Sequence, residues 1–156
     1  ANENVIFIGY NVKYGSAYGT LQDVPESQKL EMPVAENLMA GVAMGMSFEG
    51  FRPVLFFERH DFIFNALDIL INQLGKIDFL SQGQFKAPVI VRAVAGSVSP
   101  FYAGPTHTSD LSELFKKLFP FPVYIPANGA EVIRVYDIVK ESDCPVLISE
   151  KKSLYE

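Results

Sequence analysis

The chain has 156 residues, of which 49% are hydrophobic, with 13 basic against 18 acidic side chains. This length predicts a single domain that buries about two thirds of its unfolded surface, and the lone cysteine, Cys144, excludes an internal disulfide and suits a reducing cytoplasm. The sequence has no basic block to bind nucleic acid, and its apolar run at residues 38–48 is too short for a membrane span, so we expect a soluble, cytoplasmic protein.

Short β-rich runs alternate with helical periods along the chain. Strands are predicted at residues 5–8, 29–32, 52–57, 88–95, 123–125 and 146–149. Helices are predicted at residues 36–46, 62–74, 111–118 and 130–141. The alternation predicts an α/β three-layer sandwich, in which a mostly parallel sheet of about six strands carries helices on both faces. In such sheets ligands bind beyond the carboxyl ends of the strands.

Two predicted loops have unusual content. Residues 9–26 are rich in glycine, tyrosine, serine and aspartate and show no strand or helix period, so we expect this loop to cross the protein surface. Residues 96–110 follow an apolar strand and contain several hydroxyls, the histidine His107 and bend-forming glycine and proline. Strand-end position and polar content make this second loop the best candidate for a functional site.

Glu36 is the one carboxylate in a predicted helix of otherwise apolar or small residues. A buried carboxylate without a partner costs several kcal/mol, so Glu36 needs a cation, a proton or a hydrogen-bonded ligand. The structural alternative is an acid in the first helical turn, where it meets free backbone N–H groups. In the same helix, Gly41 and Gly45 predict either a small-residue face that another helix can approach or a core helix that tolerates glycine.

A set of short motifs follows in order along nearly the whole chain. It comprises Pro33-Val34-Ala35-Glu36, Glu49-Gly50-Phe51-Arg52-Pro53-Val54, Asp61-Phe62-Ile63-Phe64, residues 81–92, Gly104-Pro105-Thr106-His107 and Pro145-Val146-Leu147-Ile148-Ser149-Glu150. The ordered set resembles the pyrimidine-binding domain of the transketolase-like thiamine diphosphate enzymes. It is most similar to the β subunit of the 2-oxo acid dehydrogenase decarboxylase component. The resemblance implies thiamine diphosphate as a cofactor that is shared with a partner subunit.

Four residues match functional positions of this family. The resemblance implies that Glu36 is catalytic through a hydrogen bond to the cofactor pyrimidine, that Phe62 stacks on the pyrimidine ring, and that Asn65 helps to hold it. It further implies that His107 reaches the substrate as a hydrogen-bond donor or proton carrier. Read singly, Phe62 suits a core position and Asn65 a solvent-facing one. His60 has no matched role, and with Arg59 it supplies two basic groups for contact with an anionic substrate or the partner subunit, but we expect a solvated pair at the end of a strand.

The sequence also departs from the family. It contains no Gly-Asp-Gly and no Cys/His cluster, so we expect no metal site in this chain and assign the diphosphate and its magnesium to the partner. The diphosphate-binding domain, the carboxy-terminal domain and the helix before the first strand are all expected to be absent. Tyr10 follows the glycine of the first strand, where the dehydrogenase β subunits commonly carry an acid.

The resemblance therefore predicts half of a split thiamine diphosphate enzyme that works only with its partner. The expected reaction is decarboxylation of a 2-oxo acid with acyl transfer to a lipoyl carrier, in a homodimer or heterotetramer with a lipoyl acyltransferase as a candidate further partner. One alternative is a split transketolase or a ketol transferase similar to deoxyxylulose phosphate synthase, which the Gly-Pro-Thr-His motif and Tyr10 favour. Another is a non-catalytic assembly or regulatory module with the same fold.

Overall fold

The computed structural model describes residues 4–16, 18–99 and 102–155, and these residues form one parallel sheet with helices. The strands are β1 (Val5–Gly9), β2 (Lys29–Glu31), β3 (Arg52–Phe57), β4 (Ile90–Ala95), β5 (Val123–Tyr124) and β6 (Val146–Lys151). They lie in the order β2-β1-β3-β4-β6-β5, and every neighbouring pair is parallel. The predicted three-layer α/β architecture is confirmed.

The helices are α1 (Glu36–Phe48), α2 (His60–Ile63), α3 (Ile77–Leu80), α4 (Ser112–Leu118) and α5 (Gly129–Val139). Helix α5 begins at a capped end, because the Asn128 side chain accepts the Glu131 N–H at 3.0 Å and the Glu131 carboxylate accepts the Ala127 N–H at 2.9 Å. After α5 ends, the Arg52 guanidinium donates to the Ser142 carbonyl at 2.8 Å, which ties this turn to the start of β3. None of the described helices is long and apolar enough to cross a membrane.

The two faces of the sheet bury different side chains. On β3, Leu55 and Phe57 belong to the core beneath α1 and α4, whereas Val54 packs against α5. Phe56 points to the same side as Val54 and joins a third cluster formed by the loop after β1. This alternation along one strand is what a sheet covered on both faces requires.

The prediction of a single helix over residues 62–74 is wrong in its backbone geometry. Helix α2 ends at Ile63, a 3₁₀ turn covers Phe64–Ala66, and Ile69–Leu74 winds in a wider π-helical form. Ile63, Ala66, Leu70 and Leu74 are nevertheless all buried in the core. The apolar period thus predicted which side chains are buried, but the width of each turn depends on the backbone hydrogen bonds that form there.

The loop after β1 does not simply cross the surface, which corrects the sequence-based expectation. Its Val12 and Leu21 are buried against Phe56 and Val94 of the sheet. The carboxylate of Glu31 at the end of β2 accepts the N–H groups of Asn11 and Lys13 at 2.7 and 2.8 Å, which holds the start of the loop. The loop therefore forms part of the layer that covers this face of the sheet.

A buried ion pair joins two central strands beneath this loop. Arg92 on β4 donates through Nε to Glu150 on β6 at 2.9 Å, and both residues are less than a tenth exposed. Thr20 and Tyr155 accept further hydrogen bonds from the guanidinium, each at 3.0 Å. The hydroxyl of Tyr136 donates to Glu150 at 2.9 Å, and burial raises the pKa of that hydroxyl well above its usual range. Each charge is therefore paired and hydrogen-bonded, as buried charges require.

Candidate functional site

A cavity of about 230 Å³ lies beyond the carboxyl ends of β1 and β3. Its wall combines carboxylate, guanidinium, imidazole and aromatic groups with an apolar remainder, and the lining residues are Tyr10, Val34, Glu36, Met39, Phe56, Phe57, Glu58, Arg59, Phe62 and His107. This is the edge of a parallel sheet at which ligands are expected to bind. Three of the four residues singled out from the sequence therefore line one cavity, and the fourth, Asn65, contacts one of them.

Glu36 begins α1 and lies at the base of the cavity. The residue is only 9% exposed, and it also occupies the first turn of the helix. The Asn65 amide donates to Glu36 Oε2 at 3.3 Å. Asn65 itself is largely exposed, so it reaches the carboxylate from the rim.

Phe62 and His107 come together from distant parts of the chain. The edge of one ring meets the face of the other at 89°, with the ring centroids 5.2 Å apart. Phe62 lies on α2, whereas His107 lies in a turn in which its N–H donates to the Gly104 carbonyl at 3.2 Å. Its Nδ1 lies 2.9 Å from the Thr106 hydroxyl. The Gly-Pro-Thr-His motif therefore presents an imidazole at the cavity, with Gly104 adopting a positive φ that suits glycine.

Arg59 and His60 do not form the solvated pair expected from the sequence. Arg59 is half-buried on the cavity wall, where it donates to the Tyr18 hydroxyl and, at 2.6 Å, to the Glu58 carbonyl. Its guanidinium carbon lies 5.5 Å from the centroid of the Tyr18 ring. Among the residues that the structure describes, no carboxylate forms an ion pair with Arg59. Arg59 thus brings a positive charge to the cavity that sequence analysis undervalued.

His60 is fully buried behind this wall. Its Nδ1 accepts the Leu111 N–H at 3.0 Å, its Nε2 lies 3.1 Å from the Ser149 hydroxyl, and its ring packs edge-on against Phe115. Burial lowers the pKa of His60 to about 4, against a smaller upward effect of the Asp110 and Asp61 carboxylates. His60 is therefore neutral at physiological pH. The sequence around His60 gave no indication that it is buried, because the two residues that hydrogen-bond its ring lie far along the chain.

The chain as a whole matches a known family. A family model described as the pyrimidine-binding domain of transketolase matches residues 1–156. The chain belongs to this family. The resemblance inferred from the motifs is therefore confirmed: the chain is a transketolase-like pyrimidine-binding domain.

The curated relatives include β subunits of 2-oxo acid dehydrogenases. The 2-oxoisovalerate dehydrogenase subunit beta of Pseudomonas aeruginosa is 28% identical over 159 residues, which cover 99% of this chain and 45% of that protein. The pyruvate dehydrogenase E1 component subunit beta of Rhizobium meliloti is also 28% identical, over 99% of this chain and 34% of that protein. A third relative is the acetoin:2,6-dichlorophenolindophenol oxidoreductase subunit beta of Bacillus subtilis. It is 27% identical, and the match covers 99% of this chain and 49% of that protein. The pyrimidine-binding domain thus spans less than half the length of each relative.

Solved structures show the same fold. The inactive β4 tetramer of a split-gene transketolase superimposes with a TM-score of 0.69 at 23% identity, covering 97% of this chain and 46% of that one. The transketolase of Campylobacter jejuni gives a TM-score of 0.68 at 17% identity, covering 94% of this chain and 22% of that one. At these identities the likeness concerns the fold of the pyrimidine-binding domain alone.

Proposed function

We propose that this chain is the pyrimidine-binding half of a thiamine diphosphate-dependent enzyme and that a partner subunit holds the diphosphate and magnesium. The observation that carries the proposal is the convergence of Glu36, Phe62 and His107 on one cavity at the carboxyl edge of the sheet. The group fits the pyrimidine end of the cofactor, because a carboxylate can hydrogen-bond a ring nitrogen and an aromatic side chain can pack against a flat heteroaromatic ring.

The same cavity suits a diphosphate poorly. It carries two carboxylates, Glu36 and Glu58, against a single guanidinium, that of Arg59. Within the described ranges, no group of three or more histidine, cysteine, aspartate or glutamate side chains is arranged to hold a metal ion. These observations support a half-site that a second subunit completes. On α1, a methyl group added at Gly41 or Gly45 would meet nothing within 4 Å, so this face leaves room for the close approach of a partner helix.

Several residues in and beside the cavity then have a defined task. When bound, thiamine diphosphate supplies the nucleophilic carbon that attacks the carbonyl carbon of the substrate. Glu36 would hold the ring nitrogen of the pyrimidine through a shared proton, and the Asn65 amide orients the carboxylate by donating to Oε2. The buried side chains of Met39 and Phe57 give this cavity apolar walls, which would strengthen a hydrogen bond made inside it. His107 has Nδ1 next to the Thr106 hydroxyl, and we assign its Nε2 to proton exchange with the substrate.

We propose a 2-oxo acid as the substrate, with decarboxylation and acyl transfer to a lipoyl carrier on an acyltransferase partner. The similarity to dehydrogenase β subunits supports this assignment. A split transketolase-like ketol transferase is the second candidate, supported by the Gly104-Pro105-Thr106-His107 motif and by Tyr10 at the cavity in place of an acid. Both substrate classes are anionic, and the positive charge of Arg59 suits either one.

The proposal is tested by calorimetric titration of thiamine diphosphate and magnesium into this chain, alone and with a subunit that carries the diphosphate site. We expect binding only with the partner, followed by turnover of either 2-oxo acids with a lipoyl acceptor or ketose phosphates. A stable complex that never binds the cofactor would instead assign the chain to a non-catalytic assembly role.

Glu36→Gln tests the mechanism in the same complex. We expect the variant to fold and to bind the cofactor, but to turn over about 10²- to 10⁴-fold more slowly, since the amide cannot accept the proton. Glu49→Gln is the matched control, because it removes the same charge from the exposed C-terminal end of the same helix. Turnover within a few-fold of wild type in Glu36→Gln would remove Glu36 from the mechanism.

A further inference from the structure

We propose that His60 positions His107, by holding the segment that follows the His107 turn against α2. The inference rests on the proposed function for the task of His107, but its structural part can be measured on this chain alone. His60 is a positioning residue and not a catalytic one, because its ring is fully buried and does not line the cavity.

Three consecutive residues of α2 hold three alternate residues of the His107 segment. His60 accepts the N–H of Leu111 at 3.0 Å. Asp61 accepts the Ser109 hydroxyl at 2.5 Å and the Ser109 N–H at 3.3 Å. Phe62 contacts the His107 ring. The two stretches therefore run past each other in opposite directions, so a shift at residue 111 moves residues 109 and 107 relative to α2.

The donors and acceptors around His60 can be assigned in one consistent way. The backbone N–H of Leu111 can only donate, so the Nδ1 that accepts from it carries no proton. The neutral His60 ring therefore carries its proton on Nε2. Nε2 then donates to Ser149 Oγ at 3.1 Å, and Ser149 Oγ lies 2.7 Å from Ser112 Oγ. Ser112 Oγ donates to Asp110 Oδ1 at 2.5 Å, where the chain of donors ends on a carboxylate. The network connects α2, β6 and the residues that lead into α4.

His60 and Asp61 both hold this segment, but the His60 ring is fully buried whereas Asp61 is only partly buried. The contacts of Asp61 are partly exposed, so water can replace them. The hydrogen bond between His60 and Ser149 is buried, whereas the bond from the Leu111 N–H to His60 is partly buried like those of Asp61, and losing the imidazole leaves the Leu111 N–H without its acceptor. The segment also lies directly on Gly96, at which a methyl group would come within 2.3 Å of the Thr108 carbonyl carbon. The segment is therefore closely packed against the residue that follows β4.

NMR of this chain tests the structural part. In the wild type we expect the His60 proton on Nε2 and slow hydrogen exchange at the Leu111 amide. His60→Phe keeps a ring against Phe115 but removes both ring nitrogens. In this variant the Leu111 amide should exchange about tenfold faster or more, and the shift that the Phe62 ring imposes on the His107 ring protons should shrink. His60→Asn keeps an acceptor near the position of Nδ1 and should restore most of both signals.

Val139→Ala is the matched control, because it removes buried methyl groups from α5 on the opposite face of the sheet. It should destabilise the chain without changing the Leu111 or His107 signals. Three results would overturn the inference: a wild-type proton on Nδ1, unchanged Leu111 and His107 signals in His60→Phe, or the same changes in Val139→Ala. If His60→Phe does not fold, the wild-type tautomer and His60→Asn still decide the question.

Kinetics of the complex separate the inference from the proposed function. We expect His60→Phe to lower kcat about tenfold or more with cofactor affinity unchanged, and His60→Asn to recover most of the rate. A wild-type complex without turnover would refute the proposed function, whereas the NMR results would still establish whether His60 positions His107. Full turnover in His60→Phe would show that His107 needs no positioning by His60.

Discussion

The burial of His60 predicts how the stability of this protein depends on pH. The pKa of His60 is lowered to about 4 in the folded protein, from an ordinary value of 6.5 that the unfolded chain retains. Between these two pH values His60 is protonated in the unfolded state but neutral in the folded state. The free energy of unfolding therefore falls as the pH falls. The stabilisation is complete above about pH 6.5 and is lost by about pH 4. At about 1.4 kcal/mol per pKa unit, the His60 side chain alone should lower the free energy of unfolding by roughly 3 kcal/mol across this pH range.

The assay is urea unfolding at several pH values between 7 and 4, for the wild type and for His60→Asn. The variant loses some stability at every pH because Asn cannot reach both partners of the imidazole. Its pH dependence over this window should nevertheless be flatter than that of the wild type by about 3 kcal/mol. Asp110 faces the same ring, and its pKa is lowered by hydrogen bonds from Ser112 despite the opposing effect of burial, so it titrates below the window. Parallel curves for the two proteins would refute the assignment of His60 as a neutral buried histidine.

Three further predictions concern the site and its support. His107→Ala should slow turnover of the reconstituted complex about 10²- to 10⁴-fold while calorimetry shows unchanged cofactor affinity, and unchanged kinetics would give His107 a structural role only. Arg92→Met should lower the free energy of unfolding in urea by about 3–5 kcal/mol, because it leaves the buried carboxylate of Glu150 without its ion pair, and a loss under about 1 kcal/mol would contradict this account. Gly96→Ala should displace the segment at Thr108 and speed its amide exchange, whereas Gly45→Ala, whose methyl group meets nothing within 4 Å, should leave that exchange unchanged.

The sequence predicted the features that local patterns encode. The alternation of apolar strands with helical periods predicted the parallel three-layer fold, and the ordered motifs identified the family. Glu36 stands out as the one carboxylate of its helix and His107 by its polar loop, whereas Phe62 was singled out by its match to the family motifs. Their convergence on one cavity agrees with the rule that the carboxyl ends of parallel strands meet at one edge.

The burial of His60 and of the loop after β1 depends on contacts between distant segments of the chain. His60 looked like a solvated strand-end residue, but it is buried because its partners Leu111 and Ser149 lie 51 and 89 residues further along the chain. Likewise, the polar loop after β1 covers the sheet because its few apolar side chains meet Phe56 and Val94.

The sequence by itself determined the order of strands and helices, the family and the residue types proposed to carry the chemistry, since these follow from short-range periods and motifs. Only the tertiary structure decided which polar side chains are buried, which ring nitrogen of His60 carries the proton and which cation faces the cavity. The physical reason is that desolvation and hydrogen bonding act on a side chain through its neighbours in space. In a parallel sheet those neighbours come from different crossover units of the chain.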